Sequence, residues 1–206
     1  KNKMDKARVF VLKTSPDSVL EDYARLMRLA GYSTFLSRDT DIILKLNLSW
    51  TRYFPGCSSS PWQLEGVIKT LLEDGYSRDK IFPVENKTVV TDPIKGAMNN
   101  KWLKIFEKYG LRFIPLTTVK WIRYEPKNRL LKLDEIFPEG FEIPEMFIGK
   151  NIIHLPTVKT HGHSITTGSI KNAFGGLLKE VRHHCHKYIH EVLVDLMIIQ
   201  REIHPN

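Results

Sequence analysis

The sequence predicts an α/β fold of three layers: a largely parallel sheet with helices on both faces and a small β-rich insertion. Three observations lead there. Short apolar, β-branched runs alternate with longer segments whose apolar residues recur at helical spacing. Ile42, Ile43 and Leu44 form a continuous apolar run, the pattern of a strand covered on both faces. The chemically active residues cluster where such runs end, at the edge where parallel α/β sheets bind ligands.

Taken in order, residues 7–13 (ARVFVLK) read as a first strand, bounded by charges. Ser15 and Pro16 read as the cap and first turn of a helix. Its inward face is Val19, Leu20, Tyr23, Leu26, Met27 and Ala30, and Gly31 closes it. Residues 41–50 form the second strand. Lys45 and Asn47 sit at its C-terminal end and share a side, because strand side chains alternate. Each is a candidate ligand contact; a lysine at a strand end also serves simply to reach solvent.

The clearest helix follows. Ser60, Pro61 and Gln63 make a capping-box start. Leu64, Val67, Ile68, Leu71 and Leu72 give the apolar face, and Gly75 ends it. The loop before it carries Gly56, Ser58 and Ser59, so amides, hydroxyls and the positive helix end converge near Lys45. Capping alone accounts for the same residues, and the GxxxxGK[ST] phosphate loop is absent. Residues 80–87 read as a third strand ending in Glu85, a candidate ligand contact or a plain surface carboxylate. Residues 99–109 read as a helix with Trp102, Leu103, Ile105 and Phe106 inward, and residues 111–116 as a fourth strand. The pattern changes over 117–148, which reads as an insertion or lid within a single domain spanning 1–206. WIRYEPKNRLLKL suggests two strands around a Pro126–Asn128 turn, followed by a Pro-rich irregular stretch. Residues 151–159 form the fifth strand.

That strand runs into the stretch on which the rest is organised, Leu155 to Asn172 (LPTVKTHGHSITTGSIKN). It delivers Lys159, Thr160, His161, His163, Lys171 and Asn172, interspersed with Ser164, Thr166, Thr167, Gly168 and Ser169. Cations, hydroxyls and bare backbone directly after a buried strand are what an α/β protein uses to build an anion-binding rim. Lys159, His161 and Lys171 are the catalytic candidates, with His161 the first choice for proton transfer because its ordinary pKa is ~6.5. Thr160 and Asn172 would orient the ligand.

The last helix has Ile189, Val192, Leu193, Leu196 and Met197 as its buried stripe. His183, His184, His186 and His190 precede or enter it. His186 and His190, four apart, would share one helix face at a spacing compatible with a divalent metal. A solvated histidine cluster explains the spacing too. HExxH is absent, because Lys187 follows His186.

Composition bounds the function. The chain has 206 residues and a net charge of +8, which favours anionic partners. The basic residues are spread along the chain without long like-charged runs or an aromatic stacking motif, so nucleic acid has no motif behind it. No apolar run approaches the ~20 residues of a membrane span. Two isolated cysteines, Cys57 and Cys185, argue against a disulfide scaffold and for a reducing, cytoplasmic setting. The chain starts at Lys1 and stops at HPN after a helical pattern, so truncation at the C-terminus is expected.

The ordered motifs LKLNLS, SSSPWQLEGVIKTLLEDGY, IIHLPTVKTHGHSITTGSIKNAFGG and YIHEVLVDL resemble the family known as domain of unknown function 362. The residues that carry the resemblance are Lys45, Asn47, Lys159, Thr160, His161, Lys171, Asn172, Gly175, His186 and His190. The resemblance implies a domain continuing past the last helix into another strand. It also implies an association with ferredoxin-like iron–sulfur modules, as partner or neighbour. The two cysteines here cannot hold such a cluster within this chain. The expectation is an enzyme-like domain that binds a small phosphate- or carboxylate-bearing anion at the strand edge. The alternatives are a non-catalytic domain docking an electron-transfer module, or a metal-dependent enzyme using the helix histidines.

Overall fold

The computed structural model describes residues 8–179 and 182–205. Helices α1 (Val19–Leu29) and α2 (Tyr32–Phe35) lead into strand β1 (Ile42–Lys45), helix α3 (Pro61–Glu73) and strand β2 (Ile81–Glu85). Helices α4 (Pro93–Asn99) and α5 (Trp102–Tyr109) come before β3 (Ile114–Pro115). Then follow β4 (Trp121–Tyr124), α6 (Leu133–Ile136), β5 (Phe141–Pro144) and β6 (Asn151–His154). The hairpin β7 (Lys159–His161) and β8 (Ile165–Thr167), α7 (Ser169–Leu177) and α8 (Ile189–Ile203) complete the fold.

The main sheet has the order β3-β2-β1-β6, all parallel. The chain steps from β1 to β2 to β3 on one side, then returns to place β6 on the other side of β1. The order therefore reverses between β1 and β6, and a crevice opens beyond their C-terminal ends. The register there sets Lys45 opposite His154.

Two cores sandwich the sheet. Ile42, Leu44, Leu64, Ile68, Leu71, Trp102 and Phe106 pack α3 and α5 on one face. Ile43, Val84, Phe147, Phe174, Leu177, Val192, Leu196 and Ile199 pack α7 and α8 on the other. This is the three-layer arrangement the strand patterns imply. The Ser60 hydroxyl accepts the Gln63 N–H at 3.3 Å, as the capping box requires. The reciprocal half is missing, because the Gln63 amide donates to the Pro156 carbonyl instead.

Several elements differ from expectation, each for a physical reason. Residues 8–13 join no strand, and Val9 and Val11 are exposed; Ala7 lies outside the described residues. Its β-branched composition meets no free sheet edge. The first helix starts at Val19, capped by position from Ser18 rather than Ser15. The helix read over 99–109 is α5, which starts only at Trp102 after Lys101 takes φ 66, and a further helix, α4, precedes it. In the 117–148 stretch β4 pairs antiparallel with β5, and residues 130–133 form no strand. Their amides have another partner: the buried Asp195 carboxylate of α8 accepts N–H groups from Leu131, Lys132 and Leu133 at 2.6–2.9 Å. Glu202 does the same for Lys127 and Asn128. These carboxylates fasten the stretch to α8, and Leu130, Leu133, Phe141 and Ile143 join the adjoining core.

Candidate functional site

The floor of the crevice is a buried polar network. Lys45 ends β1 with its side chain 1% exposed. Its ammonium lies 2.6 Å from Glu85 Oε1, 2.6 Å from the Leu46 carbonyl and 3.5 Å from Asn172 Oδ1. Glu85 also accepts the N–H groups of Leu48 (2.8 Å) and Asn86 (2.7 Å). Burial pulls the Lys45 pKa down, and the Glu85 charge opposes this. A buried ion pair survives only with its other hydrogen bonds made, which is the case here. Asn172, reaching down from α7, donates Nδ2 to the Lys45 carbonyl at 2.9 Å and faces His154 Nδ1 at 3.4 Å. His154 Nε2 lies 2.7 Å from Gln200 Oε1. Burial holds His154 at about 4, so the ring is neutral, with Nε2 donating to Gln200 and Nδ1 accepting. Gly176 makes room for this floor: a Cβ there would stand 3.0 Å from Lys45 Cε.

The rim holds the mobile charge. Lys159, at the start of β7, donates to Asn47 Oδ1 at 2.6 Å, and its pKa is lowered by burial. Lys171, in the first turn of α7, has no ion pair among the described residues and stands 4.6 Å from the Phe174 ring centroid. Burial, and then the charges of Arg182, Lys159 and Lys45, bring it down to about 8. Arg182 donates to the carbonyls of Leu178, Lys179 and Lys87. Lys45, Lys159, Lys171 and Arg182 line one cleft of about 660 Å³, and among the described residues Glu85 is the one carboxylate lining it.

Four histidines complete the rim. His161 Nδ1 accepts the backbone N–H groups of His163 and Ser164 at 3.1 and 3.3 Å. The neutral ring therefore carries its hydrogen on Nε2. Burial first, then the Lys171 and His163 charges, lower its pKa. His186 Nδ1 lies 2.8 Å from the His183 carbonyl, which can only accept, so its Nε2 keeps a free lone pair. Burial pushes His186 down to about 4. The His161 and His186 rings stack at 5.7 Å, and His163 and His183 lie 4.9 and 4.8 Å from His186. One ring offers a hydrogen-bond donor and its stacked neighbour an acceptor.

The histidine spacing works differently from the sequence reading. His183–Tyr188 is a 3-10 turn and α8 begins only at Ile189. Residues three apart eclipse in such a turn, so His186 pairs with His183, whereas His190 is exposed on α8 and outside the cleft. Among the described residues no group of three His, Cys, Asp or Glu side chains is placed to hold a metal. His184 packs against Phe137, 5.3 Å between rings.

Of the other candidates, Asn47, Thr160 and Asn172 line the cleft and Ser58, Ser59 and Ser60 do not. The serine hydroxyls are engaged elsewhere. Ser58 Oγ accepts the Ser49 N–H at 3.1 Å. Ser59 Oγ accepts the Asn47 N–H at 2.8 Å and donates to the Leu155 carbonyl. They weld the helix start to β1 and β6, and capping takes Ser60. No residue of 117–148 lines the cleft.

Sequence reasoning missed Arg182, Trp50, Val89, Val90 and Phe174, all of which line it, as does Thr167 of the expected rim. Arg182, beside the histidine run, was the findable one. Thr167 is 5% exposed, and its Oγ1 has no hydrogen-bond partner. β7 and β8 pair only with each other, and Ile165 in their turn takes φ 64, a region a β-branched residue rarely occupies.

The fold and the cleft together define an α/β domain with a cationic crevice at the reversal point of its sheet. The chain belongs to the family described as domain of unknown function (DUF362), whose model matches residues 42–203. That match spans every cleft residue named above. No curated protein matches the chain. No helix among the described residues is long and apolar enough to cross a membrane.

Proposed function

We propose that the crevice binds a small anion bearing a phosphate or carboxylate group, and that the domain is enzyme-like, with proton transfer at His186 assisted by a hydrogen bond from His161. The observation that carries this is the charge balance of the cleft. Glu85 is already saturated by Lys45 and two backbone amides. Lys159 and Lys171 face the same space, and among the described residues neither has a carboxylate paired with it. Burial, and then repulsion by neighbouring cations, depress Lys171 to about 8, a penalty that a bound oxyanion offsets. The unpartnered Thr167 hydroxyl supplies a further donor. In this reading Lys159 and Lys171 neutralise the ligand and Asn47, Thr160 and Asn172 orient it. The His186 Nε2 lone pair takes a proton from the ligand and returns it from the imidazolium, while the neutral His161 ring steadies the developing charge with a hydrogen bond from Nε2–H. The free thiols of Cys57 and Cys185 suit a reducing, cytoplasmic setting.

The test is a thermal-shift panel of phosphate, sulfate, polycarboxylates, nucleotides and divalent metals on the wild type and on Lys159→Ala/Lys171→Ala. A ligand at about 100 times its Kd adds about 2.7 kcal/mol, or about 5–10 °C in a chain of this size. A shift with an anion class, lost in the double variant, is the expected result. A shift with metals alone would move the function to the histidines. No shift with any of them would leave docking of an electron-transfer module as the reading to pursue.

A further inference from the structure

The cleft is much larger than a phosphate or carboxylate group needs. At about 660 Å³ it falls in the range of pockets that enclose whole organic ligands of ~300–1,000 Å³. Its lining also divides by chemistry. Apart from Lys45, paired with Glu85 on the floor, the cations come from β7, α7 and Arg182. The segments that follow β1 and β2 line it with Leu48, Ser49, Trp50, Thr88, Val89 and Val90, none of them charged.

Three of those side chains are unusual for their position. Val89 and Val90 are 78% and 54% exposed at the tip of a turn, where polar residues and glycine are the norm. Trp50 is 49% exposed, edge-on to Phe54 at 6.4 Å. This apolar surface is braced. Thr88 and Thr91 exchange backbone hydrogen bonds across the turn, and their hydroxyls lie 2.8 Å apart. Thr51, next to Trp50, accepts the Asp92 N–H at 2.9 Å, and its carbonyl accepts from Asn99 at 2.9 Å. A fixed apolar surface held open to water beside a cationic rim matches a ligand with the same two-part character.

We infer that the cleft takes an amphiphilic anion: a phosphate or carboxylate joined directly to an apolar body of ring size. The charged end sits at Lys159 and Lys171, and the body lies on Trp50, Val89 and Val90. This rests on the anion reading above and specifies its ligand.

Isothermal titration calorimetry with inorganic phosphate, phenyl phosphate and phenol tests it, on the wild type and on Val89→Ser/Val90→Ser. Both valines are exposed, so the double variant folds as the wild type does. Phenyl phosphate should bind at least about tenfold more tightly than phosphate, as burial of a ring implies. It should also show the more negative heat-capacity change of apolar burial. The double variant should lose that gain and keep its affinity for inorganic phosphate. Equal affinity for the two phosphates, or a gain that survives in the double variant, overturns this inference and leaves the anion reading standing. Phenol binding as tightly as phenyl phosphate, or no binding by any probe, overturns both.

Discussion

Lys171 ties the electrostatics of the cleft to a measurable pH dependence. Its pKa of about 8, lowered from 10.5 by burial and by neighbouring cations, means that the free protein sheds this proton within an accessible range. An anion binds the ammonium form and raises the pKa, so affinity follows the protonated fraction in the free state. That fraction is about nine-tenths at about pH 7 and about one-tenth at about pH 9, so affinity should fall about tenfold. Sulfate is the probe, since it stays a dianion throughout. His186, held at about 4, and His161, lowered from 6.5, are neutral at both ends of the window. Lys159, also lowered, can only steepen the slope. The assay is sulfate titration by calorimetry across that range, with Lys171→Met, which keeps the packing on Phe174, as reference. The variant should bind more weakly at about pH 7 and lose one proton's worth of slope. A flat wild-type profile, or a slope unchanged in the variant, would refute the assignment. Without ligand the sign reverses. A lysine whose folded pKa is depressed contributes stability that is present above 10.5 and lost as pH falls through about 8. The wild type should therefore gain stability relative to Lys171→Met as pH rises across that interval.

Two further outcomes probe the floor and the orphaned donor. Glu85→Gln leaves the Lys45 ammonium buried without its counter-charge and should cost about 3–5 kcal/mol in denaturant unfolding. Lys45→Met/Glu85→Gln should recover most of it, and a single-variant loss below about 1 kcal/mol would show that the pair does not carry the floor. Thr167→Val removes a buried hydroxyl with no protein partner, so stability should hold or rise by up to about 1–3 kcal/mol. Phosphate affinity should fall by about tenfold or more; a stability loss with unchanged affinity would make the hydroxyl structural.

Much of this was legible in the sequence because it is local. Continuous apolar runs identify β1 and β2, and Ser60, Pro61 and Gln63 identify the start of α3. The C-terminal strand edge then follows from parallel topology, which is why Lys45, Glu85, Lys159 and Asn172 converge. What escaped depends on partners distant in the chain. Nothing local says that residues 8–13 find no sheet edge, or that Asp195 takes the amides a strand at 130–133 would use. Ser59 looks like a ligand donor until the Leu155 carbonyl, 96 residues away, engages it. Spacing of four at His186 and His190 implies a shared face only in an α-helix, and the chain takes a 3-10 turn there. The apolar part of the cleft has no periodicity to betray it.

The β7–β8 hairpin holds Lys159 and His161 but joins no strand of the main sheet. Its attachments at the cleft are side-chain contacts for the most part, among them Lys159 on Asn47, Thr157 on the Ser58 carbonyl, His161 on His186 and His163 on His183 and His186. Moving this arm therefore breaks no ladder hydrogen bond. Side-chain contacts exchange within nanoseconds to microseconds, whereas local unfolding takes up to seconds. On the proposed reading, an anion can therefore enter and leave past this arm without opening the sheet that builds its site.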